Sequence, residues 1–205
     1  MNKGAMAIIA LSGLLVIWYA AGHLYNRRRG RSLRCWLESG LDVFGGEREA
    51  EWIGSPASGA RFTIRRANPP LRRLEITLLL ANREIPLLWL LDHLRGKRDR
   101  IIIRGTLRSP RRGEVEVTSD APTYPDSEAW TWEKRPPGLS VGYCGLKGRQ
   151  MATTVQPWLD TYGPHLRRFH WRKQDPHITV KLGIAGLLDV NAETLFADLS
   201  NALHE

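Results

Sequence analysis

Residues 61–78 hold two alternating runs, Arg61-Phe62-Thr63-Ile64-Arg65 and Arg73-Leu74-Glu75-Ile76-Thr77-Leu78, joined across Asn68-Pro69-Pro70. In each run the apolar residues recur at every second position, the period at which side chains return to one face of a sheet. Asparagine and proline between them favour a turn, so the segment predicts an antiparallel hairpin with one apolar and one polar face. Residues 86–96, Pro-Leu-Leu-Trp-Leu-Leu-Asp-His-Leu-Arg-Gly, follow with proline at a first helical position and glycine at the stop, which predicts a short buried helix. Beyond it, residues 101–103 and the pair Val115 and Val117 flank the turn-forming stretch 109–113 as a second hairpin.

The same order recurs further on. Trp130 and Trp132 alternate with polar residues, a Pro-Pro-Gly turn follows, and Leu139, Val141 and Tyr143 form the next alternating run. Residues 148–161 read as a helix bent at Pro157, and Phe169 and Trp171 lead through a turn at Asp175-Pro176 into Ile178, Val180 and Leu182. Corresponding positions in the two halves are offset by 65 (74 to 139), 69 (89 to 158) and 63 (115 to 178), a near-constant spacing that points to a duplicated ββαββ unit. Asn191 reads as the N-cap of a closing helix over 192–203, with Leu195, Leu199 and Leu203 on one face. Short links between strands require mostly antiparallel pairing, so the expected fold is α+β, a two-layer domain of sheet and covering helices. Leu74, Ile76, Leu78, Trp89, Trp132 and Val180 are its expected core.

The N-terminus is of another kind. Residues 5–25 carry no charged side chain, and 21 helical residues are about 30 Å long, the thickness of a bilayer's hydrocarbon core. That length exceeds the apolar region of a secretory signal, so the expectation is an uncleaved transmembrane helix, with Trp18, Tyr19 and Tyr25 as candidates for interfacial anchors. Arg27, Arg28, Arg29, Arg31 and Arg34 follow the span, against Lys3 before it. By the positive-inside rule the reading is a single-pass protein of the cell membrane, N-terminus outside and C-terminal domain cytoplasmic. The expected division is an anchor at 1–26, a basic juxtamembrane segment with a short helix at 27–46, and the domain at 47–205, with halves at 47–120 and 128–205. The stretch 120–128 is the expected boundary between those halves.

Lys and Arg exceed Asp and Glu by 30 − 21, a net charge of +9, which favours acidic partners. The hydrophobic share of 42% excludes wholesale disorder. Cys35 and Cys144 are isolated, which excludes a disulfide scaffold or a cysteine zinc site. From 95 to 112 there are eight Lys or Arg against the single Asp99, whereas 113–133 hold six acids and no base. Blocks of that kind read first as solvated faces and ion pairs.

The most site-like constellation is the hairpin over 167–182. With a turn at Gln174-Asp175, Arg172 faces His177 and His170 faces Thr179, so Arg168, His170, Arg172, His177, Thr179 and Lys181 share a polar face. Arg168, Arg172 and Lys181 are candidate anion-binding residues there, and an imidazole could act as general acid or base. His177-Ile178-Thr179-Val180 resembles one of the two His-x-Thr motifs of the 2H phosphoesterases, in which a histidine and a threonine two apart point at one phosphate. The resemblance implies phosphoester chemistry through His177 and Thr179, with His170 beside them. It covers four residues, and the corresponding strand of the first half, Glu114-Val115-Glu116-Val117, has no histidine.

No phosphate loop, zinc-protease helix, nucleophile elbow or dinucleotide fingerprint occurs, and no metal-ligand spacing stands out, so neither cofactor nor metal is expected. No recurrent nucleic-acid-binding motif occurs either, which disfavours nucleic acid as a partner. The expectation is a membrane-anchored, basic interaction domain, a subunit or accessory factor whose partners are membrane lipid through the anchor and a protein at the membrane. The alternatives are a phosphoester-processing enzyme using the His170/His177 face, and a homo-oligomeric scaffold using the apolar stretch 85–91.

Overall fold

A computed structural model of the chain describes residues 2–109, 112–125, 127–136 and 138–204. Its first element, helix α1 (Lys3–Gly40), runs for 38 residues, about 57 Å at 1.5 Å per residue, and closes in a 3-10 turn at Leu41–Phe44. The helix is long and apolar enough to cross a membrane, and no residue of its most apolar stretch is buried in the protein. Its second half does the opposite. Gly22, Asn26, Gly30, Leu33, Leu37 and Gly40 are buried at intervals of three and four, which is one face of a helix turned to the core. The short helix expected in the juxtamembrane segment is the continuation of the apolar helix, unbroken from Lys3 to Gly40. Gly22 and Gly30 permit the contact: a Cβ at the first would overlap the Arg83 carbonyl oxygen, and at the second that of Pro56.

Among the described residues nine strands follow: β1 (Glu47–Trp52), β2 (Gly59–Arg65), β3 (Leu71–Leu79), β4 (Arg100–Leu107), β5 (Glu114–Thr118), β6 (Trp130–Arg135), β7 (Leu139–Cys144), β8 (Leu166–Trp171) and β9 (Ile178–Gly183). Helix α2 (Pro86–Leu94) joins β3 to β4, helices α3 (Gly145–Thr154) and α4 (Gln156–Tyr162) join β7 to β8, and α5 (Ala192–His204) closes the chain. All strands pair antiparallel in one sheet of order β1-β2-β3-β4-β9-β8-β5-β7-β6. The fold is α+β. Each half contains strand, strand, helix, strand, strand, as the sequence order indicated. The halves interlock, however, and the hairpin expected between residues 101–103 and Val115 and Val117 does not form: among the described residues β4 pairs with β3 and β9, and β5 with β7 and β8, because the chain crosses between the halves after β4.

Registers separate the two faces of the sheet. One row reads Phe62, Ile76, Ile103, Val180, Phe169, Val117 and Val141, all buried against the helices. One residue further along each strand, the opposite face carries Thr63, Glu75, Arg104, Thr179, His170 and Glu116. Leu33 and Leu37 of α1 and Leu195, Phe196 and Leu199 of α5 complete the core.

Three further sequence expectations change. Helix α2 is not buried: none of its residues is, and Leu87 and Leu94 are 65% and 74% exposed. Trp89 is correspondingly only half-buried. Trp132 lies on the polar face in line with Glu116, because β6 is an edge strand whose other side meets polar partners. There Glu133 accepts from Tyr143 Oη at 2.8 Å, and Arg135 donates to Gln156 of α4.

Leu74, Ile76, Leu78 and Val180 are all at most 2% exposed, as their strand phase requires. Leu78→Ala is expected to lower the unfolding free energy of the full chain by about 2–5 kcal/mol through lost burial and a residual cavity. Leu87→Ala on the exposed helix should change it by less than about 0.5 kcal/mol in detergent solution. Denaturant titrations of the two variants check both values.

Candidate functional site

Helix α1 meets the domain through a buried carboxylate. Asp99, 5% exposed, sits just before β4 and accepts from Arg29 Nε of α1 at 2.7 Å, from both terminal nitrogens of Arg83 at 2.9 and 3.0 Å, and from the Ala81 backbone N–H at 2.8 Å. Asn26 completes the joint, donating to the Ala81 carbonyl and accepting from Arg83, both at 2.9 Å. Burial pushes the Asp99 carboxyl up, but the bonds from Arg83, Ala81 and Arg29 outweigh it and hold the group below its ordinary value of 3.8. Further toward the apolar end, Trp18 Nε1 donates to the Arg83 carbonyl at 3.1 Å and His23 meets Glu84 at 2.9 Å.

The hairpin of β8 and β9 has the anticipated register, with His170 opposite Thr179 and the Arg172 N–H donating to the His177 carbonyl at 2.7 Å. The candidate catalytic groups on it are closed in. His170, His177 and Thr179 are 3%, 7% and 8% exposed. His177 Nδ1 accepts from the Leu107 N–H at 3.1 Å, which assigns the ring proton to Nε2 and makes the 3.7 Å approach of Asp175 a contact without an ion pair. His170 Nδ1 accepts from Arg172 Nε at 3.1 Å. Its neighbour Glu116 is fully buried and accepts from the Thr123 hydroxyl at 2.6 Å. The stretch 120–128, expected as a boundary between halves, thus carries a residue that folds over this carboxylate, and Trp130 lies edge-on to the His170 ring. Burial, then the charges of Arg172 and Arg168, push His170 down from 6.5 to about 4, so it is neutral near pH 7.

Of the candidate anion-binding residues, Arg168 is engaged by Thr123, the Ala121 carbonyl and Glu116, and Arg172 by His170. Lys181 is different. It lines a cleft of about 440 Å³ together with Arg95, Lys97, Arg98, Arg100 and Arg167. Two carboxylates, Asp99 and Asp120, also border the cleft, but Asp99 is committed to Arg29 and Arg83. Lys97 pairs with Asp92 at 2.9 Å and Arg98 lies against the His93 ring. Among the described residues, the side chains of Arg95, Arg100, Arg167 and Lys181 have no hydrogen bond or ion pair. Burial, then Arg168, Arg100 and Arg104, lower the Lys181 pKa, opposed only by Asp120. The cleft therefore gathers cations in excess of Asp120, the carboxylate on its rim that is left to offset them.

Lys181 was legible as a candidate. Arg95 and Arg100 were legible only as members of a basic run, and Arg167 becomes available because the register of β8 against β9 shifts between Leu166 and Arg168. The membrane-proximal cluster divides as well: Arg27, Arg28 and Arg31 are exposed, Arg29 binds Asp99, and Arg34 pairs with Glu38 at 2.8 Å and lies over the Trp52 ring. Among the described residues no three His, Cys, Asp or Glu side chains form a metal-binding group. No protein-family model matches this chain, and no curated protein matches its sequence.

Two pH effects follow from the buried groups. The unfolded chain protonates His170 below 6.5 and the folded one only near 4, so folding stability should fall as pH drops through that window, by on the order of 3 kcal/mol. His170→Gln should remove this part of the pH profile in denaturant titrations. Asp99 acts lower on the scale: its stabilisation is complete above 3.8 and is lost as pH falls through the lower folded value. Asp99→Ala should cost about 3–5 kcal/mol at neutral pH by stranding two arginines, with the gap to the wild type closing below pH 3.8.

Proposed function

We propose that this is a single-pass membrane protein whose domain is held at the cytoplasmic surface and binds an anionic, phosphate-bearing partner in the Lys181 cleft, as a subunit or accessory factor of a membrane assembly. The observation that carries this reading is the convergence of Arg95, Arg100, Arg167 and Lys181 on one cleft, in excess of the countercharge of Asp120. Cations gathered at a concave surface attract anions more strongly than the same charges spread over a convex one.

The membrane placement draws support from the unbroken course of α1 out of the apolar stretch into the core. Trp18, inside that stretch, bonds the domain at Arg83, so removal of the segment as a signal would strip a tertiary contact. Arg27, Arg28 and Arg31 remain exposed to face anionic headgroups, and the excess of arginine after the span favours a cytoplasmic domain. A binding role is favoured over phosphoester chemistry because His170 and His177 are buried and their Nδ1 atoms are occupied.

The test is a titration of the full chain, in nanodiscs of zwitterionic lipid, with inorganic pyrophosphate at low and high salt. Binding should weaken with salt, and Arg100→Ala and Lys181→Ala should each weaken it about tenfold, the worth of one charge-assisted hydrogen bond. Arg172→Ala should bind as the wild type does, because Arg172 is directed at His170. Absence of binding at low salt, or affinity indifferent to Arg100 and Lys181, would refute the proposal.

A further inference from the structure

Helix α2 is an anomaly for a water-soluble domain. Six large apolar side chains, Ile85, Leu87, Leu88, Leu90, Leu91 and Leu94, lie 38% to 74% exposed on and beside nine residues of helix. A contiguous apolar surface of this kind marks a place where something other than water is met. At 100° per residue Leu87, Leu91 and Leu94 fall opposite Trp89, and Trp89 is the residue that faces α1, its ring 5.7 Å from that of Trp18.

The depth of that contact identifies the medium. Trp18 precedes the end of the uncharged stretch, Tyr25, by seven residues, about 10 Å along the helix axis. If residues 5–25 fill a hydrocarbon core of about 30 Å, the level of Trp18 and Trp89 lies about 10 Å inside its cytoplasmic boundary. Helices that lie in the plane of a membrane are seated about 5–10 Å into the boundary of headgroups and acyl chains. We infer that α2 is embedded in the cytoplasmic leaflet beside the span, with Leu87, Leu91 and Leu94 against lipid acyl chains, so that the domain rests on the bilayer in one fixed pose. This rests on the reading that the apolar half of α1 spans the membrane.

Two further features fit lipid as the occupant. An apolar groove of about 450 Å³ lies between the helices, bordered by Leu14, Ile17, Trp18 and Trp89, and has the character of a seat for an acyl chain. The chain leaving α2 is basic and exposed at Arg95, Lys97, Arg98 and Arg100, a collar suited to phosphate headgroups at the boundary. The depth also gives Trp18, too far inside the span for an interfacial anchor, a partner at its own level.

The test uses nitroxide labels on single cysteines in the full chain, with Cys35 and Cys144 replaced by serine, in nanodiscs of phosphatidylcholine and phosphatidylglycerol. Labels at Ile9→Cys, Leu87→Cys, Leu91→Cys and Arg73→Cys report collisions with oxygen, which partitions into lipid, and with a water-soluble nickel chelate. Leu87 and Leu91 should resemble Ile9, with an oxygen-to-chelate ratio several-fold above that of Arg73. If they resemble Arg73 while Ile9 reports lipid, the span stands and the embedding of α2 is wrong. Shielding of Leu87 and Leu91 from both reagents, with spin–spin broadening, would mean that a second copy covers the helix, and would also overturn it. An Ile9 label open to the chelate would sink the span and this inference together. Pyrophosphate binding in the Lys181 cleft does not enter any of these readings.

Discussion

Asp99 is a carboxylate in a place where a carboxylate alone would be costly, and three structural elements converge to make it tolerable. Arg29 reaches it from the long helix, Arg83 and the Ala81 N–H from the segment after β3, and its own position is set by the start of β4. Each group is poorly placed without the others. Arg83 also holds Asn26 and, through its carbonyl, Trp18, so the same joint fixes the angle at which α1 leaves the sheet. The close approach that permits these bonds depends on Gly22 and Gly30, where a side chain would collide with backbone oxygens.

A helix gripped in this way runs without a break from the apolar end into the core. A flexible tether raises the local concentration of a domain near a membrane, and a rigid one also sets which surface faces the lipid. The exposed apolar helix α2, the basic segment after it and the cleft at Lys181 all lie along the chain between β3 and β4 or across the sheet from it. They are therefore held at defined distances from the proposed bilayer boundary. Commitment of Asp99 to Arg29 and Arg83 has a second effect, because it withdraws from the cleft a negative charge that the sequence places between Arg98 and Arg100.

The polar face of the sheet shows how little of a site can be read from alternation alone. His170 and Thr179 do lie opposite one another, as the turn position implied. Alternation said that this face was polar and left open whether water reaches it. The return of Thr123 onto Glu116, and of Trp130 onto His170, seals part of it. That closure comes from residues some forty positions earlier in the chain, and an isolated hairpin carries no sign of it. The tryptophans of β6 depart from the expected phase for a related reason: tryptophans that alternate on an edge strand can cover either side of a sheet, and only the neighbouring strands decide which.

The amino-acid sequence by itself determined the elements. Period-two runs located strands, the length without charge located the long apolar helix, and turn residues separated one strand from the next, because these are local properties of backbone sterics and side-chain polarity. Tertiary structure alone decided the order of the sheet, with β5 between β7 and β8 and β9 beside β4. It decided that α1 continues into the core, that α2 stays uncovered, and that Arg95, Arg100, Arg167 and Lys181 share a cleft. Those outcomes depend on which surfaces meet between segments far apart in the chain, and pairing over such distances leaves no period to be read.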